Sequence, residues 1–205
     1  MKLGSAIKEK GNPYIIPDCS RNDLPQFFVD MGYQTGVEIG VYKAKYTEKL
    51  CESGLKIYAV DPWGIFTEYP RDDDTVFINR QQFLYEHALR VLNPFNNCTV
   101  IRKTSMEVVK EFDVGSIDFV YIDGDHRFRY IAEDIYEWSK IVRTGGIVSG
   151  HDYFDSRRKN ADVKCIVDAY TKEWKINPWY VLGRKDIRKI EETRDSFRSW
   201  MWIKN

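Results

Sequence analysis

Val37-Glu38-Ile39-Gly40-Val41-Tyr42-Lys43-Ala44 reads as the end of a buried strand, a glycine turn and the entry to a helix. The strand begins at Thr35, and the helix runs from about Ala44 to Ser53, closed by Gly54. A glycine at such a turn lets the backbone bend tightly and approach a ligand without a Cβ in the way. A dinucleotide turn would carry three glycines as GxGxxG, and only Gly40 is present. Glu38, two residues earlier, would repel a pyrophosphate but suits a ligand bearing a positively charged amino group. The turn therefore points away from a dinucleotide and toward a cofactor that carries an amino acid.

Outward from this stretch, short apolar runs alternate with longer amphipathic ones. Strands are expected at Ile57–Val60, Thr99–Ile101, Ile117–Ile122, Ile147–Ser149, Trp179–Leu182 and Ser199–Ile203. Helices are expected over Asn22–Gly32, Asn79–Leu92, Met106–Phe112, Arg127–Val142 and Ala161–Trp174, with Gly145-Gly146 stopping the fourth of these. Strands separated by helices imply parallel pairing with right-handed crossovers. The last two strands lack a clear helix between them, so an antiparallel terminal pair on a mostly parallel α/β sheet is expected. Residues 1–33 read as a helical lead-in, 63–78 as an acidic, aromatic insertion able to act as a lid, and Gly183–Arg198 as a charged linker. All of this fits one domain over 1–205.

Lys plus Arg equals Asp plus Glu, 31 against 31, so no electrostatic footprint for a nucleic-acid backbone is present. No run of about eighteen apolar residues suggests a membrane span, and residues 1–17 do not read as a secretory signal. Cys19, Cys51, Cys98 and Cys165 are far apart, which fits free thiols and a cytoplasmic setting better than zinc or disulfide chemistry.

In an open parallel sheet, ligands bind beyond the carboxyl ends of the strands. The second strand ends at Asp61, the separation from Gly40 expected of an acid that hydrogen-bonds ribose; an Asp before Pro62 equally suits a loop cap. The strand IDFVYI runs into Asp123-Gly124-Asp125-His126, and the next ends in His151-Asp152. Charges gathered on adjacent strand ends are costly to bury without partners. Asp125 could cap the following helix, while Asp123, His126, His151 and Asp152 could hold a divalent cation or supply a general base.

These residues resemble class I S-adenosylmethionine-dependent methyltransferases, in particular the small-domain family of sugar and macrolide O-methyltransferases. That family reads V-E-I-G-V-Y-x-G-x-S-T where this chain has VEIGVYKAKYT at 37–47, and it shares IDGDH at 122–126 and a Gly-Gly turn leading to His-Asp. The likeness spans about Thr35 to Tyr153. It implies a Rossmann-like three-layer sandwich with seven strands, the last pair antiparallel. It also implies S-adenosylmethionine as cofactor, Glu38 and Gly40 on its methionine part, Asp61 on the ribose, and Thr104 and Ser105 beside the adenine. Tyr42, Thr47, Trp63, Asp123 and Gly124 complete the expected cofactor set. Asp123, His126 and His151 are the expected catalytic residues, and Asp123, His151 and Asp152 match the places that bind Mg2+ in metal-dependent relatives. The implied acceptor is a small molecule with a hydroxyl, a sugar first. Ala44 stands where the family usually has glycine, and Tyr46 where it often has serine.

Overall fold

The computed structural model describes residues 3–64, 74–155, 162–183, 195 and 197–205. Among these residues eight strands form one sheet: β1 (Tyr14–Ile16), β2 (Thr35–Ile39), β3 (Lys56–Val60), β4 (Cys98–Ile101), β5 (Ile117–Ile122), β6 (Val142–Gly150), β7 (Tyr180–Leu182) and β8 (Ser199–Ile203). The spatial order is β1-β7-β8-β6-β5-β2-β3-β4. Only β8 runs against its neighbours, antiparallel to both β6 and β7, which is the expected reversed terminal strand.

Among the described residues seven α-helices flank the sheet: α1 (Leu3–Ala6), α2 (Leu24–Asp30), α3 (Lys45–Glu52), α4 (Asp74–Leu92), α5 (Ser105–Val108), α6 (Phe128–Ile141) and α7 (Val163–Glu173). Alternation along β5 divides the core between two faces. Phe119 and Tyr121 pack with Leu24, Phe28 and Leu50 of α2 and α3. Val120 and Ile122 pack with Ile131, Ile135 and Trp138 of α6 and with Val167 of α7. Leu84, Ala88 and Leu92 of α4 cover Ala59 of β3. The result is the expected three-layer α/β sandwich. Among the described residues no helix is long and apolar enough to cross a membrane.

Three expectations are corrected. The lead-in is not purely helical, because Tyr14-Ile15-Ile16 adds an eighth strand paired in parallel with β7. Gly145-Gly146 does not separate α6 from its strand. β6 starts at Val142, directly after α6, and the glycines form a bulge where the register against β5 shifts. Asp125 does not cap α6, whose N-cap is Arg127 without a side-chain bond; it accepts from the Arg127 backbone N–H and pairs with its guanidinium. Most of the expected lid (65–73) and of the charged linker (184–194 and 196) lies outside the described residues.

Candidate active site

Register aligns the strand ends. Ile39 pairs with Val60 and Ile122, Val60 with Ile101, and Ile122 with Gly150. The next residues, Gly40, Asp61, Arg102, Asp123 and His151, therefore emerge together along one edge. The chain passes from β2 to β3 on one side, while β5 lies on the other, so the edge contains the switch point where open α/β sheets bind ligands.

A cleft of about 810 Å³ opens there. Of the expected site residues, Glu38, Gly40, Tyr42, Asp61, Thr104, Ser105, Asp123, Gly124 and His126 line it; Thr47, Trp63, His151 and Asp152 do not. Trp63 is buried against Tyr85 and donates its indole N–H to the Tyr42 carbonyl, bracing the first loop from behind. Thr47 is buried beside Glu38.

Gly40 has a φ of +88°, and a Cβ on it would lie 2.2 Å from the Asp123 carbonyl oxygen. Here the glycine is required by the close passage of the β2 and β5 turns. Asp61 holds the same loop through its carboxylate. Oδ2 accepts from the Val41 and Tyr42 amides at 3.0 and 2.9 Å, and Oδ1 from the Trp63 amide at 2.8 Å. Burial raises the Asp61 carboxyl above its usual range, and the three amides pull the other way. The loop-capping role of an Asp before Pro is thus present in the structure.

Glu38 is only 2 % exposed, and its Oε2 has no hydrogen-bond partner among the described residues. Burial pushes its carboxyl up to about 8, opposed by the Thr47 side chain. A buried carboxyl with one unpartnered oxygen is costly, and a cation with N–H donors would offset that cost.

At the other side of the cleft, charges alternate. His126 Nε2 lies 2.9 Å from Asp152 and 3.7 Å from Asp123. His151 Nδ1 lies 3.4 Å from Asp152, and its Nε2 3.1 Å from Asp195. Arg21 reaches Asp123 at 3.0 Å and Asp195 at 3.4 Å. Hydrogen bonds to Asp123 and Asp152 raise His126 to about 10. Burial disfavours a charged His151, but Asp152 and Asp195 outweigh it and raise His151 to about 9. Burial likewise opposes ionisation of Asp152, and the two histidines overcome it, holding the carboxyl well below its ordinary range. Ligand atoms of Asp123, His126 and Asp152 come within 4.8 Å of one another. His126 joins Asp123 and Asp152 in this group, while the expected His151 keeps Nδ1 3.8 Å from Asp123 and 3.4 Å from Asp152 and turns Nε2 to Asp195.

A family model described as a methyltransferase domain matches residues 34–153. The chain belongs to this methyltransferase family. No curated protein matches the sequence. Among solved structures, an O-methyltransferase from Bacillus cereus in complex with SAH (S-adenosylhomocysteine) is 13% identical with a TM-score of 0.61, over 90% of this chain and 80% of that one. The O-methyltransferase TomG from Streptomyces achromogenes, in complex with SAM (S-adenosylmethionine), is 9% identical with a TM-score of 0.61, over 90% and 79%. A spermidine synthase from Thermotoga maritima is 13% identical with a TM-score of 0.56, over 88% and 57%. At these identities the likeness is one of fold.

Within this methyltransferase, Ala44 has φ +61° and ψ +15°, the left-handed geometry that glycine adopts easily. The first loop therefore keeps the glycine shape at a cost of roughly 1 kcal/mol. Ala44→Gly is expected to leave ligand binding unchanged. It should raise stability by at most about 0.5 kcal/mol, since part of the relieved strain is offset by glycine's greater freedom when unfolded. A thermal melt that falls by several degrees would contradict this.

Among the cleft residues outside the expected set are Arg21 and Asp134. Arg21 follows β1 on a 3-10 turn that Ser20 and Asp23 cap reciprocally. Nothing in its neighbours distinguishes it from the other basic residues. Asp134 did carry a signal. It sits in register with Ile131, Ile135, Trp138 and Ile141 on the buried face of α6, where a charge is out of place.

Proposed function

We propose that this chain, acting as one domain, transfers the methyl group of S-adenosylmethionine to a hydroxyl of a small polar molecule, with a sugar as the first candidate. The observation that carries the reading is Glu38: a buried carboxyl facing the cleft, with one oxygen lacking a partner, fits the ammonium of the cofactor's methionine part. Two neighbours in fold, the proteins from B. cereus and S. achromogenes, are O-methyltransferases holding SAH and SAM. When bound, the cofactor supplies an electrophilic sulfonium methyl.

The protein's own residues bind, orient and take up a proton. Glu38 accepts from the ammonium. Asp61 keeps the Val41 and Tyr42 amides in place and offers its remaining acceptor capacity to ribose hydroxyls. Thr104 and Ser105 lie at the nucleoside end. The acceptor hydroxyl lies over Asp123. Because His126 and His151 are imidazolium at neutral pH in this arrangement, its proton passes to a carboxylate, and Asp123 is the one of the cluster that faces the cleft.

A divalent cation is a second reading, favoured by the convergence of Asp123, His126 and Asp152. Two carboxylates and an imidazole would hold it and, when bound, it would polarise the acceptor hydroxyl; the nitrogen donor suits manganese or zinc better than magnesium.

Calorimetric titration with S-adenosylhomocysteine tests the first reading. Saturable binding with Kd on the order of micromolar is expected. No binding overturns it. Repeating the titration and a methyl-transfer assay on sugars and phenols, with EDTA and then with Mn2+ or Mg2+, tests the second. Activity indifferent to chelation removes the cation.

A further inference from the structure

All four cysteines are free thiols, and the fold sets two that are distant in sequence against each other. Cys51 lies in the last turn of α3, buried with Leu50, Leu55 and Ile57. Cys98 opens β4, the last strand of the sheet, and packs against the same cluster while staying partly exposed. Asn97 holds the two segments together. Its side-chain amide donates to the Cys51 carbonyl at 2.9 Å and to the Leu55 carbonyl at 2.8 Å. Its own carbonyl accepts from the Ile57 amide at 2.9 Å, and Ile57 is the register partner of Cys98. With the backbones fixed in this way, the Cys51 thiol donates a hydrogen bond to the Cys98 sulfur.

This contact gives the two sulfurs unequal roles. The hydrogen bond stabilises negative charge on Cys98 and lowers it below the ordinary thiol value, against the opposing effect of burial. The same bond, with burial, raises Cys51. The thiolate is the form that attacks an oxidant. Cys98 is therefore the sulfur that both reaches solvent and ionises, and Cys51 stands behind it as the second thiol. Sulfurs already in hydrogen-bond contact have only about 1.5 Å to close before they bond.

We propose that Cys51 and Cys98 form a reversible disulfide when the protein meets a low-molecular-weight disulfide, fastening α3 to β4 and closing the segment that carries β3 and α4 into a loop. The Cys98 thiolate attacks one sulfur of the oxidant and expels a thiolate. Cys51 then attacks the Cys98 sulfur and expels the second, its own proton going to a departing thiolate. Two protein thiols are oxidised, and one disulfide is reduced to two thiols. A cross-link over a segment this long restricts the unfolded chain and so stabilises the fold. The inference is independent of the ligand that the cleft takes.

The test treats the folded, reduced protein with excess oxidised glutathione until Cys165, exposed on α7, has reacted. Peptide masses are then mapped under non-reducing conditions. The expected result is a peptide pair joined through Cys51 and Cys98, lighter by two hydrogens, with no glutathione on either. Cys51→Ala should keep one glutathione on Cys98, and Cys98→Ala should leave Cys51 as a thiol. Should either variant fail to fold, the wild-type map decides by itself. The bridged protein is expected to melt about 5–10 °C above the reduced one and to return to the lower value with dithiothreitol. Cys51 and Cys98 recovered as thiols beside a modified Cys165, glutathione retained on wild-type Cys98, or a bridge that lowers the melting temperature each overturns the inference.

Discussion

Glu38→Gln is expected to give a protein that melts at a higher temperature and binds S-adenosylhomocysteine at least about 30-fold more weakly. The folded carboxyl is pushed up to about 8 from an ordinary value of 4.5, chiefly by burial. Between those two pH values the folded state takes up a proton that the unfolded state does not keep. Stability must therefore fall as pH rises from 4.5 to 8 and level off above it. At pH 7 the penalty is on the order of 3 kcal/mol. A neutral amide removes this protonation penalty but still buries a polar group, leaving a net gain of about 1–2 kcal/mol. For a chain of this size that is about 2–8 °C in melting temperature.

The pH dependence gives the sharper comparison. His126 and His151, raised to about 10 and 9, also lose their stabilising effect as pH rises, but only above 6.5. The difference between wild type and variant across pH 5 to 8 isolates Glu38. On the proposed S-adenosylmethionine reading, the same substitution takes away the partner of the ligand's ammonium, an expected loss of at least about 2 kcal/mol or 30-fold in affinity. A variant that melts lower, or binds S-adenosylhomocysteine as tightly as the wild type, would show that Glu38 is not waiting for a cation.

Asp61→Ala should move stability the opposite way. Its carboxylate satisfies the amides of Val41, Tyr42 and Trp63, so removal strands three backbone donors at once. With water replacing part of that, the expected loss is about 3 kcal/mol, or about 6–12 °C in melting temperature. Ligand affinity should fall with it, because the Gly40 loop loses its brace. Asp61→Asn keeps one oxygen acceptor and is expected to lose roughly half as much. Calorimetry and melting curves on the pair check both. An alanine variant that melts like the wild type would leave the loop held by something other than Asp61.

Much of the fold could be read from the sequence because its signals are local. IDFVYI followed by an amphipathic stretch states strand then helix wherever it occurs, and the glycine turn after Ile39 places the ligand edge. The same holds for Glu38, Asp61 and Asp123, which lie directly at strand ends. Elements defined by distant partners were not legible. Tyr14-Ile15-Ile16 is three residues between Pro13 and Pro17, too short to announce a strand, and it becomes one only by pairing with β7. The contact of His151 with Asp195 was not legible either, because Asp195 arrives from a charged linker without sequence periodicity.

The pairing of β1 with β7 also orders events in time. Tyr14 meets Tyr180, so the first strand has no partner until residues beyond 180 have left the ribosome. Arg21 lies between that strand and α2, whose Leu24 and Phe28 pack on Phe119 and Tyr121 of β5, so the salt bridge to Asp123 can form on the β2–β6 core before the edge is closed. Closure of the sheet edge is then a late, long-range step that adds β1 to a cleft already assembled.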